Sequence, residues 1–381
     1  MLEERIDNKE RLKEVGKLFF KLGCIAFGGP AAHIAMMEEE VISKRKWMDR
    51  QHFLDLMGAT NLIPGPNSTE MVMHCGHERA GWKGMVVAGL AFIFPAVMIT
   101  AVFAWLYQQY GQLPAVAPFI YGIKPAVIAI ILSAMLKLGQ KALKHTQLWV
   151  LAGLTVLACV LGVNEIAAMF SCGVIGVFLY YIQSSGSASP KSFVPLLAVQ
   201  AAYALQESMT LKVFWHFLKI GSLLYGSGYV LFAFLDAELV ANGWLTRQEL
   251  MDAVAVGQFT PGPVLSTATF VGWQMGGGPA GALAATVGIF APSFILVAIL
   301  NPLMGKVRKS KPISAFLDAV NAAAVAVIAA VMIEMGQETL TDWRTIAIAL
   351  ISIAVTQYWK SLNSAYVVVG GALIGYVLHL I

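Results

Sequence analysis

Runs without Asp, Glu, Lys or Arg occupy residues 84–123, 145–164, 166–190, 253–305 and 361–381. A bilayer-spanning helix needs about 20 mostly apolar residues. The run 253–305 is too long for one helix and contains Pro261, Gly262, Pro263 and Pro279. It holds a broken element followed by a full span. The pattern predicts apolar segments at 18–40, 53–76, 84–109, 115–138, 147–163 and 165–183 in the first half. The second half gives 213–240, 250–274, 279–304, 314–336, 343–358 and 362–381. A Ser- and Gly-rich stretch at 184–190 and a short apolar piece at 192–206 separate the two sets. The expected fold is an all-α polytopic membrane protein: a repeat at 1–183, a linker at 184–211 and a second repeat at 212–381.

The halves are related in sequence. Phe27 and Gly28 match Tyr225 and Gly226 at an offset of 198. After a one-residue gap, at an offset of 197, Trp47, Arg50, Gln51 and Asp55 match Trp244, Arg247, Gln248 and Asp252. Pro64-Gly65-Pro66 then matches Pro261-Gly262-Pro263, and Gly81, Gly84 and Pro95 match Gly278, Gly281 and Pro292. Repeats of this size are typical of secondary transporters.

Lys44, Arg45, Lys46 and Arg50, then Arg79 and Lys83, make the first repeat's loops basic, as do Lys137, Lys141 and Lys144. Their counterparts at 242–246, 276–279 and 336–342 are poor in Lys and Arg. Basic loops stay in the cytoplasm, so the two repeats are expected in opposite orientations. The basic loop 306–311 joins the cytoplasmic set. Basic flanks on both sides of Pro64-Gly65-Pro66 predict a re-entrant hairpin at 63–68, and the repeat predicts another at 260–265. Phe27-Gly28-Gly29-Pro30 marks either a third hairpin or a broken span.

Composition supports the membrane reading: 58% of residues are hydrophobic and 13% charged, against about 25% charged in soluble domains. A net charge of +4 points to no nucleic-acid partner. Cys24, Cys75, Cys159 and Cys172 form no Cys-x-x-Cys pair and read as reduced and structural. No cofactor is implied. A homodimer is left open.

Backbone broken at membrane depth leaves N–H and C=O groups unpaired unless a cavity or ligand satisfies them. Half-helix N-termini present free donors and the positive end of the macrodipole, which suits an anion. The candidate substrate residues therefore cluster at the breaks. In the first repeat they are Gly28, Gly29, Pro30, His33 and Asn61, then Pro64, Gly65, Pro66, Asn67, Ser68 and Thr69. In the second they are Gly226, Ser227, Gly228 and Gln258, then Pro261, Gly262, Pro263, Ser266 and Thr267. His33 reads as an anion donor, a proton carrier or a buried backbone-bonded histidine. Glu70 reads as a proton carrier or a cap for the new helix. Lys124 reads as an anion counter-charge or a snorkelling lysine. Lys21 and Lys219 read as snorkelling, and Glu38, Glu39 and Glu40, with Asp236 and Glu238, as solvated at the interface. His74 and His77 are i and i+3, not the i and i+4 spacing of a helical metal pair.

Phe27-Gly28-Gly29-Pro30 with His33, the acids to Glu40, Trp47, and Leu62-Ile63-Pro64-Gly65-Pro66-Asn67 resemble the chromate ion transporter family in its long, two-repeat form. The second copy resembles that family's C-terminal half through residues 225–229, 235–239, 244–246 and 258–263. The resemblance implies export of chromate from bacterial or archaeal cells across the cytoplasmic membrane, giving chromate resistance. It makes sulfate, an isosteric dianion, the competing or alternative substrate, with general oxyanion exchange and proton coupling both open. Gly226-Ser227-Gly228 departs from the Gly28-Gly29-Pro30 pattern. A dianion leaving an inside-negative cell gains about 4.6 kcal/mol per 100 mV, so efflux needs no coupled ion.

Overall fold

The computed structural model describes residues 8–111, 113–183, 208–226, 228–301, 311–359 and 362–379. Ser227, the apolar piece 192–206, linker residues 184–207 and loop residues 306–310 lie outside the described residues.

Helix α1 (Asn8–Ile25) buries Val15, Leu18, Phe19 and Leu22 along one stripe. The chain then turns at Gly28 and Gly29, with φ of 99° and 77°, a region that glycine enters at least cost. Helix α2 (Gly29–Met37) starts at this turn with Pro30 in its first turn. It widens directly into a π-helical segment (Glu38–Lys44). Helix α3 (Arg50–Thr60) is capped by the Asp49 carboxylate, which accepts from the His52 N–H at 2.7 Å. Pro64-Gly65-Pro66 stops it. Helix α4 (Asn67–Tyr110) follows, kinked at Ala80 and Gly81. Helices α5 (Ala117–Ala142), α6 (Thr146–Val160) and α7 (Glu165–Gln183) complete the first half.

The second half retraces this order. Helix α8 (Met209–Leu223) leads to α9 (Val230–Leu235), which also widens into a π-helical segment (Asp236–Val240). Helix α10 (Arg247–Phe259) ends at the second Pro-Gly-Pro. A 3-10 turn (Val264–Ser266) leads into α11 (Thr267–Gly276), and α12 (Pro279–Leu300) follows. Gly277 and Gly278, with φ of 75° and 92°, separate α11 from α12 where α4 has its kink. Helices α13 (Lys311–Thr339), α14 (Trp343–Tyr358) and α15 (Ser364–His379) close the chain.

Helix α1 packs on α4, and α8 packs on α12 in the same way. Beyond that the halves exchange partners. Helices α6 and α7 lie against α13, while α14 and α15 lie against α5. Gly122 on α5 faces Gly371 and Gly375 on α15, so these backbones meet without intervening side chains.

Five helices among the described residues are long and apolar enough to cross a bilayer: Asn67–Tyr110, Ala117–Ala142, Glu165–Gln183, Pro279–Leu300 and Pro312–Thr339. Leu90, Phe94, Met98 and Val102 form an exposed stripe along α4 at every fourth residue. Leu283, Val287, Ile295 and Ile299 do the same on α12. Such stripes suit lipid tails and not water. The expected segment 53–76 is no single helix, because the break at 61–66 divides it. The segment 18–40 is likewise divided at 26–28.

Candidate functional site

The two Pro-Gly-Pro breaks meet the two glycine breaks across the halves. The Gly65 N–H donates to the Leu224 carbonyl at 2.7 Å, and the Gly262 N–H donates to the Ala26 carbonyl at 2.8 Å. Leu224 and Ala26 are themselves repeat counterparts, 198 residues apart. The two bonds are therefore one interaction made twice, each from one half to the other.

Around this crossing lie most of the singled-out residues. The His33 Nε2 shares the Ala26 carbonyl, at 3.0 Å, and the ring stacks edge-on against Phe92. That is the backbone-bonded reading of His33, with Nδ1 buried and without a partner. A Cβ at Gly29 would stand 3.3 Å from the Tyr229 hydroxyl of the other half. Gly228 faces Val264 just past the second Pro-Gly-Pro. At Gly65, φ is 140°, and a Cβ there would overlap the Glu70 carboxylate and the Ser293 hydroxyl. Gly262, the counterpart, faces Ala96, which stands where the other site has Ser293.

Buried polar side-chain atoms left without a partner collect here. They include Thr69 Oγ1, His33 Nδ1 and Gln258 Nε2, beside the Glu70 carboxylate and the Ser293 hydroxyl, which face each other next to Gly65. Buried polar groups in folded proteins nearly always have partners. A concentration of exceptions at broken helices marks a place built to receive something polar. Ser68 and Pro64 are buried beside them, and Thr69 N–H turns back to the Pro66 carbonyl at 2.8 Å.

Several expectations need correction. Glu70 does not cap α4: Pro66 is the N-cap, no side-chain hydrogen bond caps this end, and the carboxylate faces Ser293 of α12 instead. Asn67 and Asn61, both singled out by the sequence, bond each other. The Asn67 amide donates to Asn61 Oδ1 at 2.8 Å, on the exposed side of the break. In the second repeat, Ser266 and Thr267 need no correction: Ser266 meets Thr100 at 3.4 Å, and Thr267 bonds its own turn at the Val264 carbonyl at 2.8 Å. Lys124 does not snorkel. Its ammonium lies 3.4 Å from Asp252 Oδ1, both side chains enclosed. Lys21 and Lys219 do not simply snorkel: they pair with Glu40 and Glu238, at 3.4 and 2.6 Å. Glu40, Asp236 and Glu238 are buried, not solvated. His74 bonds Asn301 at 2.6 Å.

Sequence reasoning missed Ser293, Tyr229 and the Ala26 and Leu224 carbonyls. Ser293 follows Pro292, whose match to Pro95 is visible, but its counterpart Ala96 carries no polar group to draw notice. The carbonyls carry no sequence signal at all.

A family model described as chromate transporter matches the chain twice, over residues 13–177 and 211–376. A chromate transport protein of Pseudomonas aeruginosa is 30% identical over 94% of this chain and 91% of its own length. One of Cupriavidus metallidurans is 28% identical over 97% of this chain and 93% of its own. A probable chromate transport protein of Synechococcus elongatus is 30% identical over 92% and 90%. No solved structure matches the chain. With both halves matched by the family model, each across its pair of helix breaks, the chain belongs to the chromate transporter family.

Proposed function

We propose that this membrane protein exports chromate across the cytoplasmic membrane by alternating access, and so confers chromate resistance. The oxyanion would bind where the four breaks cross. The observation that carries this reading is the reciprocal pair Gly65–Leu224 and Gly262–Ala26, with the unpartnered buried donors Thr69 Oγ1 and Gln258 Nε2 in the same break regions. Thr69, Ser293 and the backbone near the breaks replace the hydration shell of a tetrahedral dianion. The relatives' names supply chromate as the substrate.

Inverted repeats with re-entrant breaks fit the element lengths. Helix α2 has 9 residues and α3 has 11. At 1.5 Å per residue these reach about 13 and 16 Å, half of a hydrocarbon core of about 30 Å. The break in the first repeat is open, with Asn61 exposed, whereas its counterpart Gln258 is buried. On this reading the first repeat's break faces the side that the basic loops assign to the cytoplasm.

A second reading is proton-coupled exchange of sulfate or other oxyanions. Glu70 favours it, because a buried carboxylate with no cation beside it would repel an anion unless protonated.

Thr69→Val tests the site. The change removes a buried hydroxyl that bonds nothing, so folding stability holds or rises. Chromate affinity, measured by calorimetry on purified protein, falls about tenfold if that hydroxyl holds the anion. Unchanged affinity removes Thr69 from the site.

A further inference from the structure

Among the described residues, Lys124 is the one Lys or Arg that is buried. It sits seven residues into α5, and its ammonium meets Asp252 Oδ1 at 3.4 Å. Asp252 lies five residues into α10, the helix that runs into the second Pro-Gly-Pro break. The other carboxylate oxygen, Oδ2, accepts from the Tyr107 hydroxyl at 2.7 Å. Asp252 thus ties the second half's α10 to α5 and α4 of the first half. The tie is made once. Asp252 has a counterpart in Asp55, but Lys124 has Asn321 in its place. It lies nearer the loop 241–246 that the Lys/Arg bias assigns outside the cell.

A buried ammonium is costly without an anion beside it. The protein supplies one from its own chain, and that carboxylate holds the ammonium with one negative charge and one oxygen. A tetrahedral dianion offers the same ammonium twice the charge. We propose that Asp252 is an internal stand-in for the transported oxyanion. The anion displaces it from Lys124 and so releases α10 to open the outer side. This rests on the oxyanion reading above, and deepens it by naming the residue that senses the cargo. Lys124 is then an anion-contacting residue, and Tyr107 is a positioning residue that holds Asp252 in the competing pose.

The test is calorimetric binding of sodium chromate, and separately sodium sulfate, to the purified full chain and its variants, with melting temperature measured in parallel. Lys124→Gln weakens binding about tenfold or more, and Lys124→Arg restores it, because the charge is what matters. Asp252→Asn removes the competitor and tightens binding about threefold or more, since a masked site binds in proportion to its free fraction. Tyr107→Phe tightens binding in the same direction by less. It also carries the test if Asp252→Asn does not fold. Lys124→Gln/Asp252→Asn binds no better than Lys124→Gln alone. A merely structural pair predicts otherwise: both single variants melt early, the double variant recovers, and affinity stays put. Unchanged affinity in folded Lys124→Gln, or no tightening in either Asp252→Asn or Tyr107→Phe, overturns the proposal. If the wild-type protein binds neither anion, the oxyanion reading itself fails, a result distinct from wild-type binding that the variants leave unaltered.

Discussion

Gly65 concentrates the site's demands in one residue. Its φ of 140° disfavours any side chain, and its missing Cβ makes room for Glu70 and Ser293. Gly65→Ala is expected to abolish transport and to cost about 2 kcal/mol or more of stability. Gly153 is a helical glycine whose Cβ would meet nothing, so Gly153→Ala is neutral or stabilising by up to about 1 kcal/mol. Thermal unfolding of both variants checks the contrast. Glu40 gives a pH dependence. Burial would raise its carboxyl, but hydrogen bonds from Arg45 and Lys44 and the charge of Lys21 outweigh this and bring it down to about 2. A depressed carboxyl stabilises the fold fully above its ordinary value near 4.5, and the contribution is lost as pH falls towards 2. Glu40→Gln is therefore less stable than wild type at pH 7, and its melting temperature declines less between pH 5 and 2.5. Equal declines in both proteins contradict that assignment. At this scale the sequence was informative about position and poor about partner. Pro64-Gly65-Pro66 and Glu70 are conspicuous in it, whereas Ser293 pairs with them only through folding.

Each element's helix or break was readable from local chemistry: proline and glycine runs for the breaks, charge-free runs for the spans. What each element touches was less so. Lys21 and Glu40 align with Lys219 and Glu238 at one offset of 198, and both pairs close as ion pairs. The repeat thus held a signal for pairing that composition alone, which favours snorkelling, conceals. Arg50–Glu38 and Arg247–Asp236 repeat the same logic at 3.0 and 3.1 Å. Each π-helical segment follows on from a break helix and carries these acids, so the wide turn orients them towards α1 or α8. Glu238→Gln keeps an acceptor oxygen but removes the charge that holds the Lys219 ammonium, and is expected to cost about 1.5–3 kcal/mol. Adding Lys219→Gln recovers part of that loss in a double-mutant cycle. The exchange of α5 and α13 between halves was not legible, because apolar faces carry no address. Gly122→Leu tests it: α15 is pushed off α5 and the protein melts early or fails to accumulate. Gly370→Leu, where a Cβ meets nothing, is tolerated.

Across the whole molecule, the exchange makes the halves one interlocked body, with the four breaks brought to a common crossing. The first half's opening region, including Phe19, Met37, Phe53 and Met71, packs as its own cluster, while the matching region of the second half merges with the main core. The sequence's repeat announced two related halves, each matched by the family model. Tertiary contacts between the halves such as Lys124–Asp252 are encoded by no local pattern. The most direct measurement is labelled chromate uptake into inside-out proteoliposomes under an imposed potential without a pH gradient, with sulfate as competitor. Potential-driven chromate accumulation that disappears in Gly65→Ala is the predicted result. Transport that ignores the potential and appears only with a pH gradient, or that persists in Gly65→Ala, would contradict it.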